Sequence, residues 1–255
     1  MKIIVNADDF GLCQGQNFGI QLAHRHGIVT SASLMPNMKG FIEAVNLAHE
    51  NPNLGIGVHL VLSAGKPVLS ADKVKSLVGI DGSFKKFNGM KQLNLNIDEL
   101  ENEWRAQIEK VISSGIQPDH LDGHHHLHQH PDTFELTLKL AKEYKLPIRY
   151  LPGVDPVREL QLLRQSGVKY AYCVPDFYKE GVTREYFLNF IGLHEHLDQD
   201  LLEVMCHPAY LDPYILLHSS YNLDRVKELA ILTDDSIKKS LLDDGVQLTT
   251  FKEIQ

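Results

Sequence analysis

Cysteine is scarce in this 255-residue chain: there are three, Cys13, Cys173 and Cys206, far apart and without a CxxC spacing. That excludes a disulfide framework, and together with the odd count it fits reduced thiols in a cytoplasmic protein. Positive charge is short as well, with 25 Lys and Arg against 33 Asp and Glu and a net charge of −8. A chain so biased is expected to bind no nucleic acid and to coat no anionic membrane. No apolar run approaches the length of a membrane span, and the apolar start of MKIIVNADDFG breaks off too early for a signal h-region. There is no Ser/Pro/Gly linker, no internal repeat and no low-complexity tract, so residues 1–255 are expected to form a single domain. The 43% of hydrophobic residues can supply a substantial core, which excludes disorder.

Histidine, by contrast, is plentiful. The chain has 14, and six of them lie between His120 and His130. Imidazole both binds divalent metals and moves protons near neutral pH, so this clustering points to chemistry. Short apolar, β-branched runs alternate with helix-periodic segments along the chain. The strand-like runs are Lys2 to Asn6, Val29 to Met35, Leu54 to Leu62, Asp119 to Asp122, Ile148 to Leu151, Val168 to Val174, Leu201 to Cys206 and Val246 to Phe251. Between them, Asp98 to Ser114 repeats Leu100, Trp104, Ile108 and Ile112 every four residues, and Asp132 to Tyr144 follows Pro131 with an acidic first turn. The alternation predicts βαβ units and an α/β fold, an irregular, TIM-barrel-like (β/α) barrel, with an open doubly wound sheet as the alternative. The loop Asp81 to Met90 is placed to cover a site.

Polar residues fall at or just past the ends of these runs, where either architecture builds its active site. Asp8 and Asp9 follow KIIVN, His59 ends GIGVH, Asp122 and the His124 cluster follow HL, Arg149 lies in PIRYL, and His207 follows LLEVMC. On an extended backbone the Asp8 and Asp9 carboxylates point to opposite sides, so one can ligate a metal while the other serves as base; the bland alternative is a helix cap. In DHLDGHHHLHQHP the pairs His120/His124, His124/His128 and His126/His130 are spaced i, i+4, which on a helical turn would put two imidazoles on one face without saying which pair. A lone His59 in an apolar strand is usually a satisfied core residue, but with Asp9 and one cluster histidine it completes an Asp/His/His set with positions open for water and substrate. Asp119 and Asp122 could fix the tautomer of a ligand histidine, and His207 suits a general acid. Arg149 and Lys66, the latter in SAGKPV, are candidates to hold a substrate hydroxyl or a phosphate.

NADDFG (Asn6 to Gly11), GIVTSAS (Gly27 to Ser33), GVHL (Gly57 to Leu60), HLDGHHHLH (His120 to His128) and EVMCHPAY (Glu203 to Tyr210) resemble, in order and over nearly the whole chain, the YdjC/ChbG family of carbohydrate deacetylases. That family is similar to NodB-type deacetylases, which use an irregular (β/α) barrel and one divalent metal. The resemblance implies Asp9, His59 and His124 as metal ligands, with His128 as the alternative from the cluster, Asp8 as general base and His207 as general acid. It also implies an N-acetylated sugar as substrate, a chitooligosaccharide such as diacetylchitobiose or its 6-phosphate, and a homodimer. The family commonly has Ser where this chain has Gly123. The metal, taken as Mg or Zn although Asp/His₂ donors suit Mn and Co equally, would polarise the acetyl carbonyl and acidify a water. Two other readings compete: a metal-dependent phosphoesterase, which would more often use two metals, and a sugar-binding protein with a closed structural metal site.

Overall fold

The computed structural model describes residues 1–87, 92–197 and 199–254. Among the described residues eight parallel strands form: β1 (Lys2–Phe10), β2 (Ser31–Leu34), β3 (Gly55–Leu60), β4 (Leu121–Gly123), β5 (Ile148–Tyr150), β6 (Tyr170–Val174), β7 (Leu201–Cys206) and β8 (Gln247–Leu248). Each of the first six pairs with the next, and β7 pairs with β1, so the ring closes as a seven-stranded barrel surrounded by helices. This settles the choice against the open sheet. The eighth run is a strand too, but only two residues of it pair, with Lys2 and Ile3 of β1. Higher up, Asn6 to Phe10 of β1 pair with β2 instead. β1 is nine residues long, and its length lets two strands share one edge.

Ile3, Ile4, Val5 and Ala7 of β1 are fully buried, as parallel strands packed on both faces require. The register of β1 against β2 slips between Ala7 and Phe10, which puts a bulge where the two aspartates lie. The helix expected from Asp98 runs over Ile97–Ser113, capped by Asn96, whose side chain accepts from the Asp98 and Glu99 amides. A strict four-residue step drifts ahead of the 3.6-residue turn. At the third step Val111 therefore takes the buried place expected for Ile112, which is half-buried. The helix expected from Asp132 begins at Phe134 and runs to Tyr144. In the connection after β3, Val78 bridges Phe84, and the Phe84 amide donates to the Gly65 carbonyl at 2.9 Å. Of the loop expected to cover the site, residues 88–90 lie outside the described residues. Among the described residues, no helix is long and apolar enough to cross a membrane.

Candidate metal centre and active site

Asp9 stands at the bulge with φ 65°, a left-handed conformation that a non-glycine residue adopts at a cost. The tight turn is completed by Gly11, at φ 91°, where a Cβ would lie 3.1 Å from the Met35 carbonyl oxygen. The turn sends the two neighbouring carboxylates to different partners. Asp9 Oδ1 lies 3.0 Å from His124 Nδ1 and 3.6 Å from His59 Nε2. These side chains offer a carboxylate oxygen and two imidazole nitrogens mutually within 4.8 Å. Asp9 Oδ1 is buried and makes no hydrogen bond, and an orphaned acceptor facing two imidazoles is what a bound cation would satisfy. Burial alone would raise the Asp9 pKa, but Arg225 and His124 hold it well below the usual carboxylate range.

His59 Nδ1 lies 2.8 Å from Asp122 Oδ1, so this nitrogen donates and Nε2 is turned toward Asp9. Burial disfavours its charged form, yet Asp122, Asp8 and Asp9 outweigh that and raise its pKa to about 9. Asp119 serves a different ring, His120, whose Nδ1 lies 2.7 Å from Asp119 Oδ1 and whose Nε2 lies 3.1 Å from Ser33 Oγ.

The histidine cluster does not form the helical face that its spacing suggested. His124–Gln129 is a short 3₁₀ segment broken by His125 and His126, which have φ 56° and 55°. Positive φ at two successive residues turns the chain, so imidazoles four apart do not stack on one side. Of the cluster, His124 alone joins the Asp9 group among the described residues. His128, the alternative ligand, is fully buried with Nε2 3.3 Å from the Arg149 carbonyl oxygen, and burial pushes its pKa down to about 3. A Cβ on Gly123 would meet the His128 Cβ at 2.9 Å, so the packing of His128 calls for glycine at that position.

Asp8 accepts from Arg149 on both oxygens, at 2.7 and 2.6 Å, and from Asn6 Nδ2 at 2.9 Å. Burial would raise its pKa, but the Arg149 guanidinium lowers it and keeps the group an ionised acceptor at neutral pH. His207 Nε2 faces it at 4.0 Å from Oδ2. Behind His207, Glu228 accepts from its backbone N–H and from the Tyr221 hydroxyl, and Glu228 Oε1 lies 3.9 Å from Nδ1.

The expectation that Arg149 holds a substrate hydroxyl or phosphate is corrected. Its side chain is fully buried and its guanidinium is taken by Asp8, by Asp122 at 3.0 Å and by Glu203 at 2.6 Å. Lys66 is exposed on the loop after β3, outside the Asp9 group, and its carbonyl accepts from Asn37 Nδ2 at 2.9 Å. Two residues unmarked by any motif complete the site, Arg225 and Glu228 on the helix Leu223–Leu232. Arg225 Nη2 donates to Asp9 Oδ2 at 2.8 Å. Their three-residue spacing put both on one helix face, but nothing local said which face met the barrel. Asp8, Asp9, Asp122 and Glu203 share two guanidinium groups and the raised-pKa imidazole of His59, whose proton a divalent cation at Asp9 would replace; burial pushes the Glu203 carboxyl up.

A family model described as YdjC-like protein matches residues 2–243. The chain is 43% identical over 258 residues to a carbohydrate deacetylase of Brevibacillus brevis, covering 100% of each chain. It is 36% identical over 254 residues to a chitooligosaccharide deacetylase of Yersinia enterocolitica, covering 98% of each. Among solved structures it is similar to one described as a cellobiose-phosphate cleavage protein of Enterococcus faecalis, with TM-score 0.91 and 33% identity over 99% of this chain and 98% of that one.

Proposed function

The chain belongs to the YdjC-like family, and from that premise we propose that it is a hydrolase removing the N-acetyl group of an amino sugar, with one divalent cation, Mg or Zn, held by Asp9, His59 and His124. The observation that carries this reading is the orphaned Asp9 Oδ1, facing two imidazoles with an ionised carboxylate and a further histidine alongside. When bound, the cation supplies Lewis acidity, polarising an amide carbonyl and easing the deprotonation of water.

The chain's own residues supply the proton transfers. Asp8, kept ionised by Arg149, accepts a proton from the attacking water, and His207 Nε2 gives one to the departing sugar nitrogen, so that amide and water become acetate and amine. Glu228 holds His207 on its far side, and Asp122 fixes the His59 tautomer. The relatives named as carbohydrate and chitooligosaccharide deacetylases support an N-acetylated oligosaccharide such as diacetylchitobiose, and the neighbour named for cellobiose-phosphate supports its 6-phosphate as well.

The phosphoesterase reading needs a second cation. The second cluster, Asp8, His59 and Asp122, shares His59 with the first and sets both of its carboxylates against the Arg149 guanidinium, whose positive charge opposes a second cation. The test is acetate release from N-acetylated mono- and disaccharides, with and without a 6-phosphate, after chelation and after each metal is restored. Asp8→Asn and His207→Ala should each lower the rate by about 10²-fold or more. A near wild-type rate in either would refute its role, and phosphate release with two tightly held ions per chain would favour the phosphoesterase.

A further inference from the structure

Asp9 is gripped at two points. Gln16 Nε2 donates to the Asp8 carbonyl oxygen at 3.0 Å, which holds the peptide that enters Asp9. Arg225 Nη2 donates to Asp9 Oδ2 at 2.8 Å, which holds the end of its side chain. The two clamps are joined, because Arg225 Nη1 donates to Gln16 Oε1 at 2.7 Å. Arg225 is in turn tied down by Nε, which donates to the Tyr221 carbonyl at 2.8 Å. Gln16 is fully buried and Arg225 is 5% exposed, so neither can swing away into water.

A carboxylate can offer a cation one oxygen or two, and the second would occupy a position that substrate needs. With Oδ2 committed to Arg225, only Oδ1 faces the imidazoles of His59 and His124. The left-handed backbone at Asp9 needs support from its surroundings, and the Gln16 bond to the preceding carbonyl provides it. We propose that Arg225, braced by Gln16, is a positioning residue that makes Asp9 a one-oxygen ligand and so keeps the cation open to water and the acetyl oxygen. The inference rests on the metal reading above.

The test loads the intact protein with Co²⁺, whose visible absorption weakens as coordination number rises, and measures Co²⁺ affinity by competition with a chromophoric chelator. Gln16→Leu, which frees the peptide entering Asp9, should bind Co²⁺ about 10- to 100-fold more weakly, the range for loss of a partner behind a ligand, whereas Arg225→Met, which removes a positive charge beside the cation, should change the affinity in the opposite sense. Arg225→Met should also lose absorption intensity as Oδ2 joins the cation. Arg225→Lys keeps the buried charge but not the fork, and it is the variant to read if Arg225→Met fails to fold. Wild-type affinity and spectrum in a folded Arg225 variant would overturn the inference alone. If the wild type takes up no Co²⁺, or takes it up equally well after Asp9→Ala, the metal reading falls and the inference with it.

Discussion

His59 sits between two carboxylates, with Asp122 on Nδ1 and Asp9 near Nε2. Its pKa, raised to about 9, means that a cation must displace a proton to reach Nε2 over most of the working range. Apparent metal affinity should therefore rise by about tenfold per pH unit up to about 9 and then level off, as competition titrations would read. An affinity independent of pH between roughly 6 and 9 would contradict this. In the chelated protein the sign runs the other way. A pKa raised on folding contributes stability that is complete below the unfolded value and lost as pH rises through about 9. Arg149 makes the companion case. Arg149→Met would leave Asp8, Asp122 and Glu203 buried without their cation, and urea unfolding should show a loss of about 3–5 kcal/mol. In any folded fraction the Asp8 pKa would rise, moving the acid limb of the pH–rate profile upward.

At the scale of elements, the helix Leu223–Leu232 and the β1 bulge meet at the site. The helix carries Arg225 to Asp9 and Glu228 to His207, one turn apart on the same face. Glu228→Gln keeps the size of the side chain but cannot accept at both oxygens from the His207 amide and the Tyr221 hydroxyl. The expected result is a fall in kcat of an order of magnitude or more with KM little changed, since His207 would lose its orientation while the ligand set stays intact. A KM change alone would place Glu228 in substrate binding instead. The strand ends were legible because each motif is local: NADDFG, GVH and MCH each close an apolar run. The cluster misled through its spacing. The i, i+4 rule presumes helical dihedrals, and the positive φ of His125 and His126 breaks that presumption.

At the scale of the whole molecule, the centre joins residues from β1, β3 and the segment after β4, so a cation bound there ties distant parts of the folded chain together. Binding the folded state alone stabilises it by about 2.7 kcal/mol at a hundredfold excess over Kd. For a chain of this length that is a rise in Tm of roughly 5–11 °C, removable with a chelator. Asp9→Ala should abolish the shift, and a Tm indifferent to metal would count against the centre. The end of the chain contributes elsewhere, with Phe251 fully buried and stacked on His120 at 3.7 Å between ring centroids.

By itself the sequence determined the eight strand segments, their alternation with helices and the placing of Asp8, Asp9, His59, His124 and His207 at strand ends, because apolar periodicity and short motifs are written within a few residues. Only the tertiary structure decided that seven strands close the ring and that β8 shares the edge of β1 below β2. It alone decided that Arg149 is a buried counter-ion, that His128 lies apart from the Asp9 group, and that Arg225 reaches Asp9 across 216 positions of chain. Such pairings depend on which surfaces meet when the barrel closes, and no local pattern of side chains encodes that meeting.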